Sequence, residues 1–205
     1  MMPLRSITPT TDIAERGLER GLWHRVLSLD EALLLRLVRR RESAPLTRLM
    51  RGLTHLGDTT SWVAIGLLLL SSGGRGPRYA ALLGVGAGLA VAISHFLKRL
   101  CCRPRPTAEL AGIPGTAGIA ALIEIPDAFS FPSGHTAAAF AIAAALAGEG
   151  NGLGAVTLSL AAGIGLSRVY LAAHYPLDVA AGVGIGALCG LTARLLVGLV
   201  LPGLV

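Results

Sequence analysis

Little in this chain is charged, aromatic or sulfur-bearing, and each shortage removes a class of protein. Charged residues fill 15% of the 205 positions, where a soluble domain carries roughly a quarter. Aromatic residues contribute 4%, and none is interleaved with a basic patch, so no nucleic-acid partner is expected. Of the three cysteines, Cys101 and Cys102 are adjacent and Cys189 lies in an apolar run, which implies no disulfide framework. No C-x-x-C or H-x-x-x-H spacing points to a zinc site. The N-terminal residues hold no apolar core of signal-peptide length, so insertion into a membrane is expected to rely on later segments. Lysine occurs once, at Lys98; every other residue among the 18 basic ones is arginine.

What the chain does have is apolar and small. Hydrophobic residues make up 53% and glycine occurs 27 times, with a mean hydropathy of +0.65. That composition suits closely packed membrane helices with small residues at their contacts. A soluble helical bundle would show a polar face on each helix, and these segments do not. The length leaves room for one domain. Five apolar stretches cover residues 59–72, 79–97, 134–147, 153–166 and 179–201. The second and fifth approach the ~20 residues that cross a bilayer. The other three reach that length only if flanking residues such as Gly57, Asp58, Ser133 and Ser167 extend them.

Residues 1–58 differ in kind. Leu33, Leu34, Leu37 and Val38 are opposed by Arg36, Arg39, Arg40 and Arg41, a pattern for one or two amphipathic helices on a membrane surface. An ordinary solvated helix packed on the core is the alternative. The net charge of +6 then points to anionic lipid headgroups. The expected fold is an all-α polytopic membrane bundle of about five transmembrane helices (59–205), preceded by an Arg-rich interfacial region (1–58).

Glycine-rich turns at 71–78 and 148–152 make the stretches they join antiparallel neighbours. A long loop at 107–132, with Glu109, Glu124 and Asp127, separates the second and third stretches. In that topology the polar, chemistry-bearing residues gather at one membrane face. Lys98 ends the second stretch, where the sequence reads KRLCCRPRP. A positive flank anchoring a helix is the plain reading, although a single lysine among arginines offers a compact point charge that a guanidinium does not. The third stretch opens on FPSGHT, 131–136. A helix N-terminus presents free N–H groups to a phosphate oxygen; Ser133 can cap it, Gly134 admits a ligand to the backbone, and His135 can donate a proton. The fourth stretch ends in SRVYLAAHYPLD, 167–178. There Asp178 can accept a hydrogen bond from His174 and leave the other ring nitrogen as a nucleophile, or it can serve as an ordinary first-turn acid. His24, His55 and His95 belong to no such group, and Asp58, Glu109, Glu124 and Asp127 read best as solvated acids.

Taken together, Lys98-x6-Arg105-Pro106, then Pro132-Ser133-Gly134-His135, then Ser167-Arg168-x5-His174-x3-Asp178 resembles the three-part signature of the type 2 phosphatidic acid phosphatase family. The resemblance spans residues 98–178 with no departure at a signature position. It departs at the N-terminus, where many bacterial members look six-spanned. It implies that Lys98, Arg105 and Arg168 hold phosphate oxygens with the Ser133 hydroxyl and the Gly134 amide. It implies also that His174 forms a phosphohistidine, that His135 acts as general acid and then base, and that Asp178 orients His174. No metal or cofactor is implied. The expected activity is hydrolysis of a phosphomonoester or diphosphate of a membrane lipid: a polyprenyl-linked phosphate, phosphatidylglycerophosphate or phosphatidic acid. The expected place is a bacterial-type inner membrane, crossed several times. Vanadium-dependent haloperoxidases look similar at all three motifs but are large and soluble. A silent lipid-binding or transport protein would be expected to lack one of these groups, and none is missing.

Overall fold

The computed structural model describes residues 10–38, 43–109, 123, 127–150 and 152–200, with the backbone alone at 10–20, 22, 108 and 109. Among these residues all regular elements are helices: α1 (Thr10–Val38), α2 (Ala44–Leu56), α3 (Thr59–Ser71), α4 (Gly76–Cys101), α5 (Pro106–Glu109), α6 (Gly134–Leu146), α7 (Leu153–Tyr170) and α8 (Pro176–Val200). The five apolar stretches correspond to α3, α4, α6, α7 and α8. The chain is an all-α, multi-pass membrane protein. By length and composition α4, α7 and α8 each suffice to cross a bilayer, and α2 with α3 passes the same test as one span bent by 59°. α7 reaches the length because its helix runs on through Ser167 and Arg168 to Tyr170. Gly57 and Asp58, by contrast, form the break between α2 and α3, and Ser133 sits at the N-cap of α6.

α6 is the shortest of the five with α3, at 13 residues. Its rise of about 20 Å at 1.5 Å per residue falls short of the ~30 Å hydrocarbon core. It is apolar all round because it is buried all round: α4, α7 and α8 all pack on it. Along α8, glycines at 182, 186 and 190 face it. A Cβ at Gly186 would lie 2.4 Å from the Ala137 carbonyl oxygen, and one at Gly190 2.3 Å from that of Ala141. Only the absence of side chains lets the two backbones come this close, which is how small residues drive helix pairing in lipid.

The N-terminal helices join this bundle near its polar end. Leu34 and Val38 of α1 pack with Val169, Ala172 and Tyr175, and Met50 of α2 packs with Tyr170 and Leu171. At the break, a Cβ on Gly57 would come within 2.9 Å of Ile164 and 3.1 Å of His135, so glycine there lets the turn press against α7 and the head of α6. Arg39, Arg40 and Arg41 of the expected amphipathic pattern lie outside the described residues, as do Glu124 and the side chain of Glu109.

Candidate active site

The chemistry-bearing residues meet because four helix ends share one side of the bundle. Lys98 lies in the last turn of α4, His135 in the first turn of α6 and Arg168 in the last turn of α7. His174 occupies the turn before α8, and Asp178 the first turn of α8. The turn is wound around one carbonyl: Arg168 O accepts the N–H groups of Ala173 at 3.0 Å and His174 at 3.2 Å. Pro176 then opens α8, whose missing N–H costs nothing at the first position. Asp178 closes a capping-box arrangement by accepting the Tyr175 N–H at 2.9 Å.

A cavity of about 600 Å³ is lined by Lys98, Arg105, Asp127, Gly134, His135, Arg168 and His174, and it continues between α3 and α4. That part is apolar, with Val63, Leu67 and Leu70 on one wall and Leu83, Ala87 and Val91 on the other. Ala80 and Lys98, both on its lining, are about 27 Å apart along α4 at 1.5 Å per residue. The hollow is thus a long apolar groove with a cationic head.

Within the head, each cation has a structural holder. Arg105 donates to the Asp127 backbone carbonyl at 2.8 Å and to that of Ala173 at 2.7 Å. Its segment is pinned by an isolated bridge between Pro104 and Phe129 and by the Ser130 hydroxyl on Pro104 O at 3.0 Å. Arg168 donates to the buried hydroxyl of Thr54 on α2 at 2.7 Å, while its Nε has no partner. Asp127 pairs with Lys98 at 2.6 Å and with Arg105. Burial alone would push the Asp127 carboxyl up, but hydrogen bonds from those two cations outweigh it and hold it below the usual carboxylate range.

His174 is 1% exposed. Arg105 Nη1 faces its Nε2 at 3.3 Å, and Asp178 Oδ2 stands 3.6 Å from its Nδ1. The expected hydrogen bond between His174 and Asp178 is therefore not closed; Asp178 Oδ2 accepts the Tyr175 N–H and Oδ1 accepts from Arg103 at 2.8 Å. Such bonds are often long before substrate binds. Burial first, then the charges of Arg168, Arg105 and Lys98, holds the His174 imidazole well below its ordinary pKa. The neutral ring is thus favoured, and its Nε2 lone pair faces Arg105, which can only donate.

His135 is placed differently. Its Nε2 lies 2.8 Å from Asp58 Oδ1 at the α2–α3 break, and Asp58 also bonds His55 at 3.0 Å. The Ser133 hydroxyl meets the Thr136 hydroxyl at 2.9 Å and caps no helical N–H, and Ser133 is buried away from the cavity lining. Gly134 does line it.

Six of the eight residues singled out from the sequence therefore line one cavity, Asp178 stands behind His174, and the Ser133 side chain turns away. Of the acids read above as solvated, Asp127 is ion-paired within the site and Asp58 is hydrogen-bonded to His55 and His135 at its edge. Asp30 and Thr54 were not assigned a role at all, and Arg103 was read only as part of the positive flank after the second stretch. Asp30 left one trace, a charge in the same helical stripe as the buried Leu34 and Val38. Among the described residues, no three His, Cys, Asp or Glu side chains are grouped to hold a metal ion.

Comparison with known proteins places the fold in a family. The chain is 38% identical over 141 residues to decaprenylphosphoryl-5-phosphoribose phosphatase of Mycobacterium tuberculosis, covering 68% of this chain and 74% of that one. Its structure resembles that of a transmembrane PAP2-type phosphatidylglycerolphosphate phosphatase from Bacillus subtilis, with TM-score 0.68, 26% identity, and 86% and 88% of the two chains covered. It also resembles LpxE of Aquifex aeolicus, with TM-score 0.63, 28% identity, and 79% and 93% covered. The family model described as the PAP2 superfamily matches residues 79–200, and with more than half its length matched the chain belongs to that superfamily.

Proposed function

We propose that this lipid phosphatase removes a terminal phosphate from a polyprenyl-linked carrier lipid in the inner membrane of a bacterial-type cell, through a phosphohistidine on His174. The observation that carries the reading is the groove: an apolar channel for a tail ends at three cations, with His95, His135 and His174 on its lining. The mycobacterial relative, named for a decaprenyl-linked phosphosugar, supports a polyprenyl chain over a diacylglycerol. The exposed Trp23, Leu27 and Leu33 of α1 suit a helix resting at the lipid interface.

In this mechanism Lys98, Arg105 and Arg168 take the phosphate oxygens and the Gly134 N–H completes the cradle, so that Asp127 yields its place to substrate. Positioning and charge neutralisation supply most of phosphoryl-transfer catalysis. His174 Nε2 attacks phosphorus; the bond from phosphorus to the lipid oxygen breaks, and His135 delivers a proton to that oxygen. His135 then takes a proton from water, whose oxygen displaces His174 and releases inorganic phosphate. The Ser133 hydroxyl contributes only after turning from Thr136.

Purified protein offered polyprenyl-linked, glycerophospholipid and short soluble phosphate esters tests the reading, with phosphate release and a radiolabelled phosphoenzyme as readouts. Preference for the polyprenyl ester with label on His174 is expected. Preference for phosphatidic acid overturns the substrate, and turnover without a covalent phosphoenzyme overturns the mechanism. A chelator is expected to leave the rate intact; activity lost in chelator and restored by magnesium also counts against this mechanism.

A further inference from the structure

The carboxylate of Asp30 has no part in the steps above, yet it is 1% exposed and fully engaged. Its Oδ2 accepts from Arg103 Nη2 at 2.7 Å and its Oδ1 accepts the Leu177 N–H at 2.8 Å. The other arm of Arg103 reaches Asp178 Oδ1 at 2.8 Å, and the guanidinium lies over the Tyr175 ring, 4.0 Å from its centre. Burial alone would lower the Arg103 pKa, but Asp178 and Asp30 outweigh it and hold the charge in place. The register is set by packing: Leu34 and Val38 follow Asp30 at intervals of one helical turn, and both pack against the α7–α8 corner.

We infer that Asp30 is a positioning residue for the phosphatase reaction, acting through Arg103 on Asp178 and hence on His174, and that α1 is a working part of the active site. One guanidinium spans two buried carboxylates in a fork that arginine, unlike lysine, can make. Asp30 draws half of that fork away from Asp178, which keeps Asp178 negative enough to receive the His174 Nδ1–H when substrate arrives. Its second oxygen, on Leu177 N–H, ties the first turn of α8 to α1 and fixes where Asp178 stands. With Asp30 neutralised, Arg103 turns wholly to Asp178 and draws it off His174. The phosphate-holding cations are untouched, so the loss falls on the chemical step and not on binding.

This inference rests on His174 as the nucleophile, and the wild-type protein tests that separately: no phosphoenzyme from wild type sinks the reading above, whatever Asp30 does. Given a wild-type phosphoenzyme, Asp30→Asn is measured in the full-length protein in lipid. Rates are normalised to vanadate-binding sites, so that unfolded protein is not counted. Expected is a fall in kcat and in the single-turnover rate of phosphoenzyme formation of about tenfold or more, with vanadate affinity and KM within about twofold. A kcat within about twofold of wild type overturns the proposal, and so does a loss matched by an equal loss of vanadate affinity. Arg103→Lys, which keeps the charge but loses the fork, is read in the same way and covers the case in which Asp30→Asn does not fold. The double variant is expected to be no slower than the slower single one; multiplying losses would show that the two residues act independently.

Discussion

The two histidine neighbourhoods face the same cavity and are built in opposite ways. At the α7–α8 corner the side chains of His174 and Asp178 are 1% and 0% exposed. At the α2–α3 break those of His135 and Asp58 are 29% and 39% exposed. A nucleophile gains from a dry, fixed setting in which its lone pair has one direction to point. A group that passes protons to a leaving oxygen and takes them from water must keep a wet side. In the mechanism proposed above these demands fall on two residues of one type, and their surroundings, not their chemistry, suit each to a different one.

The contrast breaks most sharply by truncating each ring. His174→Ala is expected to cut turnover by at least about 10³-fold and to form no phosphoenzyme. His135→Ala is expected to lose about 10²- to 10⁴-fold while still forming phosphoenzyme from an ester whose leaving group is an acidic phenol. Similar behaviour of the two variants on that ester, followed by rapid quench, would erase the distinction. A smaller effect is expected from Asp58→Asn: about a tenfold fall in kcat with lipid alcohol leaving groups, shrinking as the leaving group becomes more acidic. A flat dependence on leaving group would detach Asp58 from proton transfer. Gly84 and Gly88 line the groove, and a Cβ at either meets nothing within 4 Å. Leucine there is expected to raise KM for a long polyprenyl ester several-fold more than for a short-chain one; equal effects would place the tail elsewhere.

The smallest expected effect concerns pH. The lowered His174 pKa means that the neutral ring persists as pH falls through 6.5, the ordinary histidine value. Once corrected for the substrate's own second ionisation, near pH 6, and for the proton that His135 carries as general acid, kcat/KM, which reports the free enzyme, is expected to lose less than about twofold to protonation of His174 between pH 7.5 and 6.5. An acid limb at or above 6.5 assignable to His174 would contradict its burial.

What the sequence made legible was type, order and spacing. The apolar stretches located α3, α4, α6, α7 and α8, and the signature residues identified the helix ends that meet. Lys98 and Arg168 stand in the last turns of α4 and α7, at the helix ends where the sequence placed them, because long side chains let a polar residue end an apolar helix. The partners of those residues were hidden for a different reason. An acid such as Asp58 or Asp127 reads the same in a chain whether water or a cation will surround it, and only the packed bundle decides. Ser133 shows the converse: a hydroxyl suited to phosphate is claimed by Thr136, three residues on.

The groove between α3 and α4 has a consequence for how such an enzyme is to be measured. A tail seated there stays among the lipid chains while its headgroup reacts, so substrate arrives by lateral diffusion in two dimensions. The quantity that saturates the protein is then the mole fraction of substrate in the bilayer or micelle, not its concentration in the tube. Adding inert detergent at fixed total substrate is therefore expected to slow the enzyme by surface dilution alone. Rates compared between membranes carry meaning only at matched surface composition.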